Sequence, residues 1–231
     1  MLGQRKGKFM RFKRCNRNSL SAKQFLELCN AVSMLPPSLL LCHRWLWPPV
    51  PHFWNHYMGV MAVGIVVHMF FSVNYHLQVA AEIVDDPLDN NARRLDQSFV
   101  HIAAICTSYA ESASISFTVV AGLFNAWCIL RLWGVVGGHD TRRHRTLGII
   151  LALLLYISPM LVRGDHTNFI GAFACFLAGL TFFAGSACFG LGAGWGHVLL
   201  HMMLWPFTHY LLASAAAVDA LRPQSSGVTI P

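Results

Sequence analysis

Charge is scarce in this 231-residue chain, at 12% of residues, and acidic charge is scarcer, with ten Asp and Glu against 17 Lys and Arg. So little polar surface, with 55% hydrophobic residues and a mean hydropathy of +0.48, excludes a soluble globule of this size. No acid precedes Glu27, so Arg5, Lys6, Lys8, Arg11, Lys13, Arg14, Arg17 and Lys23 form a basic segment that nothing neutralises. Residues 1–23 therefore read as a basic cytosolic tail lying against anionic headgroups. An organelle transit peptide would share the lack of acids but carry more serine. Seven cysteines, odd in number and without a C-x-x-C pair, sit mostly in apolar segments and read as small buried hydrophobes. A cleaved secretory signal is not expected, because Pro36 and Pro37 interrupt the first apolar run.

What the chain has in quantity is apolar runs long enough to cross a bilayer of about 30 Å, with 16 Phe, seven Trp and five Tyr to anchor them. The runs fall at about 24–46, with Pro36-Pro37 as a kink, at 55–79, at 146–163, at 167–190 and at 194–218. Between Asp96 and Val136 lie 41 residues without proline, too long for one crossing at about 1.5 Å per residue. They must make two spans, broken in the polar run Ser108 to Ser116, which places Glu111 at a solvated turn. The expected fold is all-α: a seven-transmembrane helix bundle over 24–220, followed by a short C-terminal tail, 221–231. Seven crossings put 14 of the 17 Lys and Arg on one side, leaving Arg44, Arg163 and Arg222 for the other. By the positive-inside rule the N-terminus of this multi-pass protein is then cytosolic.

Ionisable side chains inside such spans are costly unless they face the interior and find partners. Ser72 and His76 lie one turn apart at the end of the second span, and His197 and His201 one turn apart at the start of the last. Asp96 opens the third, and seven crossings bring all five to one depth. Twelve histidines give about 0.6 H-x-x-x-H pairs by chance, so spacing alone is weak, and His52 with His56 makes a second pair among prolines. Shared depth is the stronger signal. Neutral His76, His197 and His201 supply three nitrogen ligands for Zn²⁺ and leave a position for water, the open geometry of a catalytic centre. Asp96 would then accept or orient a proton, and Ser72 hydrogen-bond an oxyanion. His68, one turn before Ser72, and His209, beyond His201, read more simply as interhelical hydrogen bonds. His101 points away from Asp96. Arg93 and Arg94 read as headgroup anchors first and phosphate contacts second.

The set S-x-x-x-H at 72–76, Asp96 and H-x-x-x-H at 197–201 resembles a superfamily of seven-helix membrane hydrolases. It includes the alkaline ceramidases, the progestin and adipoQ receptors with the hemolysin III proteins, and the Per1-type GPI-remodelling proteins. The run Arg93-Arg94-Leu95-Asp96-Gln97-Ser98, with His209 downstream, looks most like the receptor and hemolysin III branch. The resemblance covers about 54–218. The interval from His76 to Asp96 is longer than in ceramidases, and the segment before the second span lacks a clear acidic and aromatic signature of either branch. What it implies is a zinc-dependent hydrolase cleaving an amide or ester bond of a membrane lipid, ceramide-like in the first instance. Glycines such as Gly171 and Gly179 suit close helix packing.

Two rival readings differ in what they require. A non-enzymatic receptor or scaffold with structural zinc needs four protein ligands on the ion. A transporter with His68, His76 and Glu111 as a proton relay needs helices broken at mid-membrane.

Overall fold

Ser21 opens the first helix through a capping box: its Oγ accepts from Gln24 N at 3.2 Å, and the Gln24 side chain accepts from Ser21 N at 2.9 Å. From there a computed structural model of the protein describes residues 21–49, 54–84, 86, 89–137, 141–189 and 194–218. Most of the basic tail and all of 221–231 lie outside the described residues, as does His52.

Helix α1 (Ala22–Ser33) gives way at Met34 to α2 (Leu35–Leu46), with Pro36 and Pro37 in the first turn of α2. A helix opening tolerates proline, whose missing N–H has no partner there anyway. The expected kink is thus a junction between two short helices in one 25-residue run, Ala22–Leu46. Asn55 caps α3 (His56–Ala80) by accepting from Met58 N, and Asn90 caps α4 (Asn91–Ser112) by accepting from Arg93 N, both at 2.9 Å. Helix α4 stops at Ala113, in the left-handed conformation at φ 48°, and Ser114 caps α5 (Ile115–Leu132). Thr141 caps α6 (Arg142–Val162), which starts a turn earlier than its hydropathy suggests, so Arg142, Arg143 and Arg145 belong to a helix and not to a loop. Helices α7 (His166–Phe189) and α8 (Trp195–Val218) complete the order. No strand occurs among the described residues.

Six of these runs are long and apolar enough to cross a membrane, with Ala22–Leu46 taken as one, and the protein is an all-α protein of the membrane class. The expected count of seven is therefore met only in part. The run that falls short is α4, which carries Arg93, Arg94, Asp96 and Glu111. Its neighbours give the physical reason: α4 packs against α3, α5, α6 and α8. A helix enclosed by others has little need of an apolar surface, and Ser98, His101, Thr107, Ser108 and Glu111 of α4 are all buried. Large apolar side chains instead face outward from the surrounding helices, as at Val63, Phe70, Leu123 and Ile170, each more than 60% exposed. In a membrane that surface meets lipid.

Two glycines set how closely helices approach. A methyl group at Gly64 of α3 would stand 2.8 Å from Cys106 Cβ on α4, and one at Gly171 of α7 would stand 2.4 Å from the Tyr210 ring on α8. Tyr57, Met58 and Met61 of α3 fill the core with Ile157 and Met160 of α6 and Leu211 and Leu212 of α8. This apolar cluster occupies the end of α8 away from His197.

Among the polar groups buried at that end is Glu111. It is fully buried, not solvated at a turn as expected, because Arg163 at the end of α6 donates to its Oε2 at 3.1 Å and Ser214 of α8 donates to the same atom at 2.7 Å. The α4 to α5 break does fall beside it, but closure of the bundle covers it.

Candidate metal centre

Helix α3 delivers His76 in its last turn, and α8 delivers His197 and His201 from its first two turns. The ring of His76 lies 5.1 Å from that of His197 and 5.3 Å from that of His201, centroid to centroid, and the two α8 rings are 4.4 Å apart. One nitrogen from each falls within 4.8 Å of the other two. His76 and His201 are buried, at 1% and 6% exposure, and His197 is half-buried.

The supporting contacts come from α1. Glu27 Oε2 stands 2.7 Å from His76 Nδ1, and Asn30 O and Ser33 Oγ stand 3.2 and 3.1 Å from His201 Nδ1. A carboxylate and a carbonyl only accept, so each Nδ1 carries the proton and donates it. In the neutral ring each Nε2 is then a bare lone pair, the form in which an imidazole ligates a metal. Ser33 in turn donates to Asn30 O at 2.8 Å. Tetrahedral zinc, with bonds near 2.0–2.1 Å, holds its donors about 3.4 Å apart, so the three rings need to close by only an ångström or so.

Ser72 and Asp96 sit beside the triad. Ser72, one turn before His76, is buried and hydrogen-bonds the Asp96 carboxyl. His68 Nε2 approaches Asp96 Oδ1 to 3.3 Å. That oxygen is nevertheless buried without a hydrogen bond among the described residues. All five residues expected from the sequence therefore meet in one place, and His68 makes the expected interhelical contact, with Asp96 as its partner.

His68, Ser72, Asp96, His197 and His201 line a cavity of about 580 Å³ that runs on between apolar side chains such as Leu204 and Phe207. That volume is in the range of small-molecule and lipid-chain pockets. Other histidines lie elsewhere: His101 pairs with Asn125 Oδ1 at 2.7 Å inside the bundle, and His209 is exposed. The residues that spacing missed are Glu27, Asn30 and Ser33. Their signal was a polar row at three-residue steps through the first apolar run.

Comparison with protein-family models, with curated proteins and with solved structures finds no match to this chain.

Proposed function

We propose that the chain is a seven-span, zinc-dependent membrane hydrolase that cleaves an amide or ester bond of a lipid, with α4 as its enclosed seventh span and the N-terminus on the cytosolic side. The observation that carries this reading is the convergence of His76 with His197 and His201, the last two lining a lipid-sized cavity that Asp96 and Ser72 also line. His76, His197 and His201 would hold the ion. Bound there, zinc supplies Lewis acidity toward water and toward a substrate carbonyl.

The protein's own residues do the rest. Glu27 and the Asn30 carbonyl fix the tautomers and ring planes of His76 and His201. Asp96 takes a proton from the attacking water and returns it to the leaving group. His68 faces the carboxylate and supports its negative form. Ser72, released from Asp96 when the carboxyl is protonated, turns its hydroxyl to the carbonyl oxygen as negative charge develops there. The apolar walls exclude bulk water and hold the acyl chain.

Metal analysis of purified protein tests the reading. About one zinc per chain in wild type and none in His197→Ala or His201→Ala is expected, and equal metal in all three removes the mechanism. Turnover in a screen of acylated lipids, lost in Asp96→Asn with metal retained, completes the test.

A further inference from the structure

The cavity has a polar floor as well as a polar metal end. Helices α4, α6 and α8 each give the lining a polar residue at the metal end, Asp96, Arg145 and His197, and each gives it a hydroxyl eleven positions later, at Thr107, Tyr156 and Thr208. Eleven residues make three turns, so each pair shares a helix face, with a rise of about 16 Å between its members. The three helices run side by side in one direction, since Glu111, Arg163 and Ser214 meet further along them. Ser38 of α2 joins the second tier. Asn30 and Ser33 of α1 meet His201, and Leu41 packs in one cluster with Leu211 and Leu212, which sets Ser38 level with the turn of α8 that carries Thr208. The Tyr156 ring lies 6.2 Å from that of Phe207, at the same depth. Ser38, Thr107 and Tyr156 are the last residues that α2, α4 and α6 give to the lining, and only Leu211 follows Thr208 on α8.

The fold does not use these hydroxyls up. Ser38 Oγ is buried and makes no hydrogen bond among the described residues, and none joins the hydroxyl of Tyr156 or Thr208 to another described residue. Thr107 spends its proton on Ala103 O at 2.9 Å, which leaves its oxygen as an acceptor. Ser38, Thr107 and Thr208 are each buried, at 3 or 4% exposure. A hydroxyl shut away from water without a partner costs stability, and a ligand that brings a polar group to it recovers that cost. The charged side chains of the lining, Asp89, Arg93, Asp96 and Arg145, all lie toward the metal end. Glu111, one turn past Thr107, lies outside the lining on Arg163 and Ser214, so a carboxylate brought to the floor would face a second carboxylate behind it. The group that fits is neutral and both donates and accepts, which is a hydroxyl.

We propose that the cavity takes an acyl chain whose far end carries a hydroxyl, received at the floor by Tyr156 and Thr208 with Ser38 and Thr107 beside them. The rise between the two tiers sets the chain at roughly a dozen carbons from the cleaved bond to the hydroxyl. This rests on reading the cavity as the substrate site, and it narrows the substrate from any acylated lipid to one with an ω-hydroxylated chain of medium length.

The test is binding of three free acids to the full-length protein in neutral detergent: dodecanoate, ω-hydroxydodecanoate and α-hydroxydodecanoate. None has a bond left to cleave, and all three share the same head, so the readout is the affinity of each hydroxy acid relative to dodecanoate. That ratio for the ω-hydroxy acid should be at least about tenfold higher in wild type than in Tyr156→Phe with Thr208→Val, which removes two hydroxyls and little volume. The ratio for the α-hydroxy acid should be the same in both proteins. Without ligand the double variant should melt no lower than wild type, because the hydroxyls it loses have no partner in the fold. The His197→Ala, His201→Ala protein should keep the wild-type ω-hydroxy ratio, so failure of the zinc reading and failure of the floor give different results. An ω-hydroxy ratio unmoved by the double variant, as for a floor that holds only water, overturns the proposal. An α-hydroxy ratio that falls equally, a lower melting temperature in the double variant, or no binding of any acid to wild type does so too.

Discussion

Removing the Glu27 carboxylate should weaken metal binding without removing a ligand, and the size of the loss follows from the contact it makes. At 2.7 Å from His76 Nδ1 the bond is short and charge-assisted, a class worth about 1.5–3 kcal/mol net. Loss of such a partner behind a ligating histidine costs about 10- to 100-fold in affinity, or about 1.4–2.7 kcal/mol, so the two routes to the magnitude agree. Ser33→Ala is the internal control. It removes one contact to His201 Nδ1 but leaves the Asn30 carbonyl at 3.2 Å, so the ring keeps its orientation and affinity should fall by less than about threefold. Glu27→Gln keeps an acceptor without the charge and should fall between the two. The assay is competition for zinc between detergent-purified, metal-stripped protein and a chromophoric chelator, with thermal melting to verify that each variant is folded. Wild-type affinity in Glu27→Ala, or an equal loss in Ser33→Ala, would refute the account of how α1 supports the site.

His76→Ala should lose zinc as completely as either α8 variant, because each supplies one of three donors; metal content by atomic spectroscopy decides. Glu111→Ala leaves the Arg163 guanidinium beside buried Ser214 without its carboxylate and should cost about 3–5 kcal/mol, read as a large drop in melting temperature. Glu111→Leu combined with Arg163→Met should recover most of that loss, and a double variant no more stable than Glu111→Ala would contradict the pairing. Gly171→Ala drives a methyl group into the Tyr210 ring and should cost about 1–3 kcal/mol, relieved by Tyr210→Ala; additivity of the two changes would show that α7 and α8 do not meet there.

The helices were legible because apolar runs speak locally. Asn55 and Ser114 stand where a polar run meets an apolar one and cap helices there, whereas Asn90 and Thr141 cap helices whose first turns are polar. The 41-residue stretch divided at Ala113, inside the polar run that had to contain the break. Hydropathy sets α4 apart from the other long helices, and its polarity accompanies packing against four of them that no local window contains. Glu111 failed for the same reason: its partners Arg163 and Ser214 lie 52 and 103 residues away. The imidazole triad was readable because its members share a depth. Glu27, Asn30 and Ser33 were not, since a polar row on a short first helix acquires meaning only once α1 is seen against α3 and α8.

The centre draws Glu27, Asn30, Ser33 and His76 from the first third of the chain and His197 with His201 from its final helix. Ribosomal synthesis releases these parts at opposite times, so an ion held by the three imidazoles could be captured only once the last segment has been inserted and has come to rest against the first. On the proposed reading, metal loading would then mark the end of biogenesis.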